Sequence, residues 1–307
     1  MGNKIVVVGS SNTDMIIKVN RIPKPGETVL GGEFSMAPGG KGANQAVSAA
    51  RAGGEVIFVT RVGDDVFGKR AIEGFIKDNI NVENIIHDKN ASSGIALIFV
   101  DSEGENSIAV ASGANANMSP EDIKKSEDVI ASASIVLMQL EIPVNTVKSV
   151  VDIAVKNNVK IILNPAPAQK LDDNLLKDVF ILTPNESEAE ILTGINVKDE
   201  EGAEKAASVL LEKNIGCVLV TLGPNGVYVA SPDFKGLIPG FKVKAVDSTA
   251  AGDVFNGALA ASLAENKSLI EAIKFSNAAA ALSVTKLGAQ TSIPYKSEVE
   301  NIKKLIE

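Results

Sequence analysis

The sequence predicts an α/β fold in which a doubly wound, mainly parallel sheet is flanked by helices and carries a small β-sheet lid. Three observations point there. From residue 56 onward, apolar runs of strand length alternate with amphipathic segments in a β-α-β-α rhythm. The runs are continuously apolar, as strands covered on both faces must be. Two blocks, about 14–37 and 93–112, have strand character without helical periodicity, so their strands are expected to form a separate small sheet over a cleft. No tandem repeat, low-complexity tract or long charged linker divides the 307 residues, which read as one domain, 1–307, with the lid strands inserted.

Ile5-Val6-Val7-Val8 opens the chain as a short buried parallel strand, and Gly9-Ser10-Ser11-Asn12 is the polar loop at its carboxyl end, where ligands of open α/β sheets bind. Asn12 and Asp14 are therefore candidates for holding a polar ligand, although both are also ordinary turn residues. Short strands joined by a turn at Pro23 and Pro25-Gly26 follow, with Thr28-Val29-Leu30 expected in one of them. Gly39-Gly40-Lys41-Gly42-Ala43-Asn44-Gln45 lets backbone approach a ligand closely, and precedes a helix expected over 46–52. It is not a Walker A loop, because no Ser or Thr follows Lys41 where one is required. Nor is it a dinucleotide fingerprint, because Gln45 stands where the last Gly belongs.

Strands are expected at 57–60, 135–140, 159–163, 179–182, 217–221 and 227–229, with helices at 67–77, 144–156 and 186–192. A hairpin is expected where 96–100 and 107–111 flank Asp101-Ser102-Glu103-Gly104-Glu105. Polar residues mark several strand ends: Glu141, Asn164, and Asn185 with Glu188, all opening on one edge of the sheet. Asn185 and Glu188 either orient a hydrated Mg2+ with phosphate oxygens or form a helix capping box. Thr221 to Gly226 is a turn and a candidate wall of a nucleotide pocket; Asn277, in an Ala-rich helix over 268–285, faces either solvent or a ligand.

Composition narrows the partners. A formal charge of -8 argues against a nucleic-acid or anionic-membrane binder. The single histidine, His87, cannot support a His-rich metal site or a Ser-His-Asp hydrolase, and is expected at the surface or a strand end. The single cysteine, Cys217, excludes an internal disulfide and lies in an apolar run that reads as a buried strand. The apolar run after Met1 is too short for a signal peptide, Val6 fails the myristoylation pattern, and no run reaches the ~18 apolar residues of a membrane span. A cytoplasmic protein is the expectation.

The stretch Asp247-Ser248-Thr249-Ala250-Ala251-Gly252-Asp253 runs into a small-residue helix, 255–264. A helix start leaves N–H groups unpaired and carries partial positive charge, so Ala250-Ala251-Gly252 can close around an anion without side-chain obstruction. Asp253 is then either a helix N-terminal stabiliser or a base beside a phosphate. The early Gly39 to Ala46 motif and this late one, in this order and with the βα rhythm between, resemble the ribokinase-like (PfkB) carbohydrate kinases over essentially the whole chain. Leu140-Glu141-Ile142-Pro143, Thr183-Pro184-Asn185-Glu186-Ser187-Glu188 and Gly288-Ala289-Gln290 resemble the members that act on ribose.

The resemblance implies ATP-dependent phosphorylation of the ribose 5-hydroxyl, Mg2+ with ATP, K+ as a monovalent activator, and a homodimer formed through the lid. Carried over by position, Asn12, Asp14, Gly39, Gly40, Lys41, Asn44 and Glu141 hold the sugar, and Asp253 is the base, with Ala250, Ala251 and Gly252 as the anion hole. Asn185, Thr221, Gly223, Gly226 and Asn277 contact the nucleotide with Ala251 and Gly252, and Glu188 organises Mg2+ indirectly. Asp247, Thr249, Ser283, Lys286, Gly288 and Ser292 surround K+, largely through main-chain oxygens. Ala250 departs from the usual glycine, and Ser248 and Val254 from the usual threonines. Alternatives are a kinase for fructose, a deoxyribose or another small sugar, and a non-catalytic sugar or nucleotide sensor. A Rossmann dehydrogenase is disfavoured by the failed fingerprint.

Overall fold

The structure is a computed structural model that describes residues 3–304. β1 (Lys4–Val8) is buried along its apolar length. The chain then leaves for the small sheet through β2 (Asn12–Lys18) and β3 (Glu33–Gly39) and returns through α1 (Lys41–Arg51), β4 (Glu55–Gly63), α2 (Val66–Lys77) and β5 (Ile85–Asp88). A second excursion makes the hairpin β6 (Gly94–Val100) and β7 (Asn106–Ala111), followed by a 3-10 turn at Gly113–Asn117. α3 (Pro120–Lys125) and α4 (Glu127–Ala131) lead back to β8 (Ile135–Met138), α5 (Val144–Lys156), β9 (Lys160–Leu163), α6 (Asp173–Leu176) and β10 (Ile181–Leu182). α7 (Glu186–Thr193), α8 (Glu200–Leu211), β11 (Val218–Thr221), β12 (Gly226–Ala230) and β13 (Lys235–Pro239) complete the large sheet, and α9 (Ala251–Ala264), α10 (Leu269–Ser283) and α11 (Lys296–Lys304) close the chain.

The large sheet runs β13-β12-β11-β10-β9-β8-β1-β4-β5, parallel from β11 to β5 and antiparallel at β12 and β13. β1 lies third from the β5 edge, with Val6 opposite Ile57 on one side and Val136 on the other. Apolar residues cover both faces. One cluster packs α1, α2, α9 and α10 against Val7, Phe58 and Leu137; the other packs α5, α7 and α8 against Val8, Met138 and Leu163. Burying such side chains is worth roughly 1.5–3 kcal/mol each, which explains why the continuous runs, rather than alternating ones, became strands. The small sheet runs β3-β2-β6-β7 and stays exposed, with Phe34, Leu97, Ile108 and Val110 open to solvent.

Several elements differ from the sequence reading. α1 begins at Lys41, not Ala46: its first turn is glycine and polar residues with no apolar period, yet Gly42 to Ala49 are all buried because the neighbours surround the helix. Thr28-Val29-Leu30 form no strand; Leu30 is 90% exposed, with no sheet face to cover it. β8 stops at Met138, because Leu140 N donates instead to Ala166 O. The strand at 227–229 pairs antiparallel, and β13, α8 and β5 were not foreseen. His87 falls in β5 with its side chain exposed, and Cys217 is buried, which pushes its thiol up to about 12.

Candidate active site

Two loops meet across the carboxyl ends of β1, β8, β9 and β10. At the first, Gly40 caps α1 with a φ of 89°, a left-handed conformation natural only to glycine, and a Cβ there would lie 2.7 Å from Asn12 N. This close turn sets Lys41 and Asn44 one helical turn apart beside β2. Glu141 ties the loop down: its Oε2 accepts from Ser10 Oγ at 2.5 Å and from Lys41 N at 3.0 Å. Asn12 Oδ1 accepts from Asn115 Nδ2 at 2.8 Å, and Asn115 also brackets Ser11 through both its N–H and its C=O. Asp14 stands over Gly39, where a Cβ would come within 2.4 Å of its carboxylate. Among the described residues its carboxylate has no hydrogen-bond donor, and burial, with Glu141 and Asp253 nearby, raises its pKa to about 6.

At the second loop, Ala250 caps α9 in the left-handed region, φ 61°, and no side chain caps the helix start. The space above Gly252 is open. The Ala251 N–H donates to Ser248 O at 3.2 Å, and the helix start sets the positive end of the helix dipole beside Asp253. Asp253 is buried, and each of its oxygens takes an amide: Asn44 Nδ2 to Oδ2 and Gln45 Nε2 to Oδ1, both at 3.0 Å. Burial raises its pKa, while Lys41 and the two amides pull it down. Asp253 in turn is the first cause that holds the Lys41 ammonium above its usual range. The two motifs, some 210 residues apart in sequence, therefore share one charge cluster.

A cleft of about 160 Å³ opens from Asp253 across Lys41, Asn164 and Thr183 to Asn185, Glu188 and Thr221. Of the two readings of Asn185 and Glu188, the structure displays the helix capping box. They form the reciprocal capping box, Asn185 N to Glu188 Oε2 at 2.9 Å and Glu188 N to Asn185 Oδ1 at 2.8 Å, while the pair also lines the cleft. Glu188 is buried, which raises its pKa. Gly223 faces open space, whereas Gly226, φ 105°, crosses β13 so tightly that a Cβ would meet Ile238 O at 2.2 Å. Asn277 is buried away from solvent, its Nδ2 donating to Pro239 O at 3.2 Å, so its side chain joins α10 to β13.

Asp247 ties the 247–249 turn to the 286–288 loop: its oxygens accept from Thr249 N at 2.9 Å and Gly288 N at 2.8 Å. Burial pushes its carboxyl up, but the bonds from Thr249 and Gly288 outweigh it and hold the pKa below the usual value. Ser283 and Ser292 are buried with hydroxyls donating to Ala280 O and Ala289 O, and the Lys286 ammonium pairs with Glu298 at 2.9 Å. Among the described residues no group of three or more His, Cys, Asp or Glu side chains gathers as a metal site.

Gln45, Asn115, Gln139, Thr183 and Asn256 were not singled out from sequence. Gln139 carried a signal: one amide in an apolar strand run must be hydrogen-bonded if buried. Asn256 carried little, since an Asn in a small-residue helix gives no hint that it will accept from Thr183 Oγ1 at 2.7 Å and donate to Gly252 O at 2.8 Å.

A parallel α/β sheet whose strand ends pair a buried carboxylate with an uncapped helix N-terminus defines a phosphotransferase class, in which an acceptor hydroxyl meets an anionic donor. Residues 3–296 match the model of the pfkB family of carbohydrate kinases, and the chain belongs to that family. It is 49% identical to the ribokinase of Haemophilus influenzae over 97% of each chain. It is 37% identical to a deoxyribokinase of Salmonella typhi, covering 94% of this chain and 95% of the relative. The structure of Arabidopsis thaliana ribokinase complexed with ribose and ATP superposes with a TM-score of 0.92 at 33% identity, covering 99% of each chain. The chain is thus an ATP-dependent sugar kinase.

Proposed function

We propose that the protein transfers the γ-phosphoryl group of ATP to the 5-hydroxyl of D-ribose, giving ribose 5-phosphate and ADP. The observation that carries this is the buried Asp253 beside an open, uncapped α9 start, with Asp14 and Asn44 facing it from the sugar side. Asp14 has a carboxylate without a protein donor, and Asn44 Oδ1 is buried without a hydrogen-bond partner among the described residues. Both are acceptors of the kind that sugar hydroxyls satisfy. Asn12, Gly39, Gly40, Lys41 and Glu141 complete the sugar site.

Asp253 orients the 5-hydroxyl and accepts its proton at a carboxylate oxygen. Burial raises its proton affinity, and proton transfer can follow most of the P–O cleavage in a loose transition state. The start of α9 at Ala250, Ala251 and Gly252 receives the negative charge of the transferring group. Asn185, Thr221 and the Gly223 to Gly226 turn take the nucleotide, with Asn277 supporting the strand behind it. Glu188 offers an oxygen to hydrated Mg2+, which neutralises phosphate charge when bound. The 246–249 and 283–292 segments, tied together by Asp247, are assigned to K+, a hard cation that takes oxygen ligands.

The small sheet acts as the lid of the single domain and as a dimer contact, since its apolar side chains and its free β3 and β7 edges are exposed. No described helix is long and apolar enough to cross a membrane, and we place the enzyme in the cytoplasm. The test is ADP release with a panel of sugars, compared by kcat/KM. Ribose is expected to lead, with 2-deoxyribose and fructose lower because a missing or displaced hydroxyl leaves buried partners unpaired. Preference for 2-deoxyribose or fructose over ribose would overturn the substrate assignment, and ligand binding without ADP release would reduce the protein to a sensor.

A further inference from the structure

A continuous hydrogen-bonded chain runs beneath the cleft. Gln139 Nε2, just past β8, donates to Gln45 Oε1 at 2.5 Å. Gln45 Nε2 is shared between Asp253 Oδ1 at 3.0 Å and Asn164 Oδ1 at 3.1 Å. Asn164 Nδ2 donates to Thr183 O at 3.0 Å, Thr183 Oγ1 to Asn256, and Asn256 to Gly252 O. Gln45 and Gln139 are fully buried. Room for this is built into the backbone: a Cβ on Gly9 would lie 2.1 Å from Gln139 Oε1.

We propose that Gln139 is a positioning residue which, through Gln45, fixes the orientation of the Asp253 carboxylate and its capacity to take the substrate proton. This rests on Asp253 being the base, as set out above. A carboxamide has two faces of opposite polarity. With Gln139 donating to Gln45 Oε1, only the Gln45 NH2 remains for Asp253. Without that donor, Gln45 Oε1 is left buried and unpaired, and only the bonds to Asp253 and Asn164 hold the amide in place. The charged groups that face Asp253 are Lys41 of α1, Asp14 of β2, Glu141 beyond β8 and Glu188 of α7, and none of them touches Gln139 in this network. Gln139 therefore reaches Asp253 only through Gln45. The amide donors also counter the effect of burial on Asp253, so loss of the Gln45 bond is expected to raise its proton affinity further.

The test is a double-mutant cycle on the full-length enzyme with Q139M, Q45M and Q139M/Q45M, assayed with the sugar that the wild type turns over best. A hydrogen bond to a charged group is worth enough that kcat is expected to fall about 10-fold or more in each single variant, with both KM values within about twofold. The double variant is expected to lose no more than Q45M alone, because Gln139 acts through Gln45. The acid limb of the kcat–pH profile is expected to move to higher pH in all three. Should Q139M fail to fold, Q139L also removes the donor from Gln45 Oε1 with little change of volume, so the same loss is expected. Losses that multiply in the double variant, or a kcat for the Gln139 variants within twofold of wild type, would overturn the relay. The choice of best sugar keeps a wrong ribose assignment separate, since that would change the substrate in the assay and leave the cycle readable. If Asp253 is not the base, D253N retains turnover, which is a different failure again.

Discussion

Asp14 offers a prediction with opposite signs for stability and binding. Its carboxyl has a pKa of about 6 against the usual 3.8, first because it is buried and then because Glu141 and Asp253 bring negative charge. The folded chain therefore holds this proton more tightly than the unfolded chain does. The stabilisation that goes with it is complete below about pH 4 and is lost as pH rises through about 6. At 1.36 kcal/mol per pKa unit, the difference is about 3 kcal/mol as an upper figure, since the side chain retains some solvent. Asp14→Asn keeps the shape and removes the charge. In urea unfolding, D14N is expected to match wild type near pH 4 and to exceed it by about 2–3 kcal/mol at pH 7. The same variant is expected to lose about 10–100-fold in kcat/KM for the sugar, because a hydroxyl loses a charged acceptor. A D14N chain no more stable than wild type at pH 7, or an advantage that does not change from pH 4 to 7, would refute the reasoning.

Two further outcomes follow from the surrounding structure. Activity in potassium is expected to exceed that in a large organic cation at equal ionic strength, and D247N to lose that difference; equal initial rates in the two salts would remove the cation loop from the account. Ile108→Asp on the exposed lid is expected to weaken self-association at least tenfold, since an unpaired charge would be buried, as read by light scattering on a dilution series.

The fold was legible where physics is local. Continuous apolar runs gave the central strands, and the 101–105 turn between apolar stretches gave the β6–β7 hairpin. Elements fixed by their neighbours were not legible. α1 starts on glycine and polar residues because the fold surrounds it, and β13 forms because β12 offers it an antiparallel edge. In the site, Asp14, Lys41, Asn44 and Asp253 were readable because their motifs announce them, and the structure brings them into one cluster. The layer beneath was hidden. Gln45 looked like a failed glycine in a fingerprint, and only its distances to Asp253, Asn164 and Gln139 reveal a link between α1, α9 and the ends of β8 and β9. Asn277, which the sequence left facing solvent or a ligand, is buried with its amide donating to backbone.

The central claim is that Asp253, set against an open helix start, takes the proton of the acceptor hydroxyl. The most direct measurement is the rate of ADP release with saturating ribose and ATP for Asp253→Asn beside wild type. The account predicts a fall in kcat of about 100-fold or more, as loss of a general base brings, with the fold intact by thermal unfolding. A loss of less than about tenfold would contradict it.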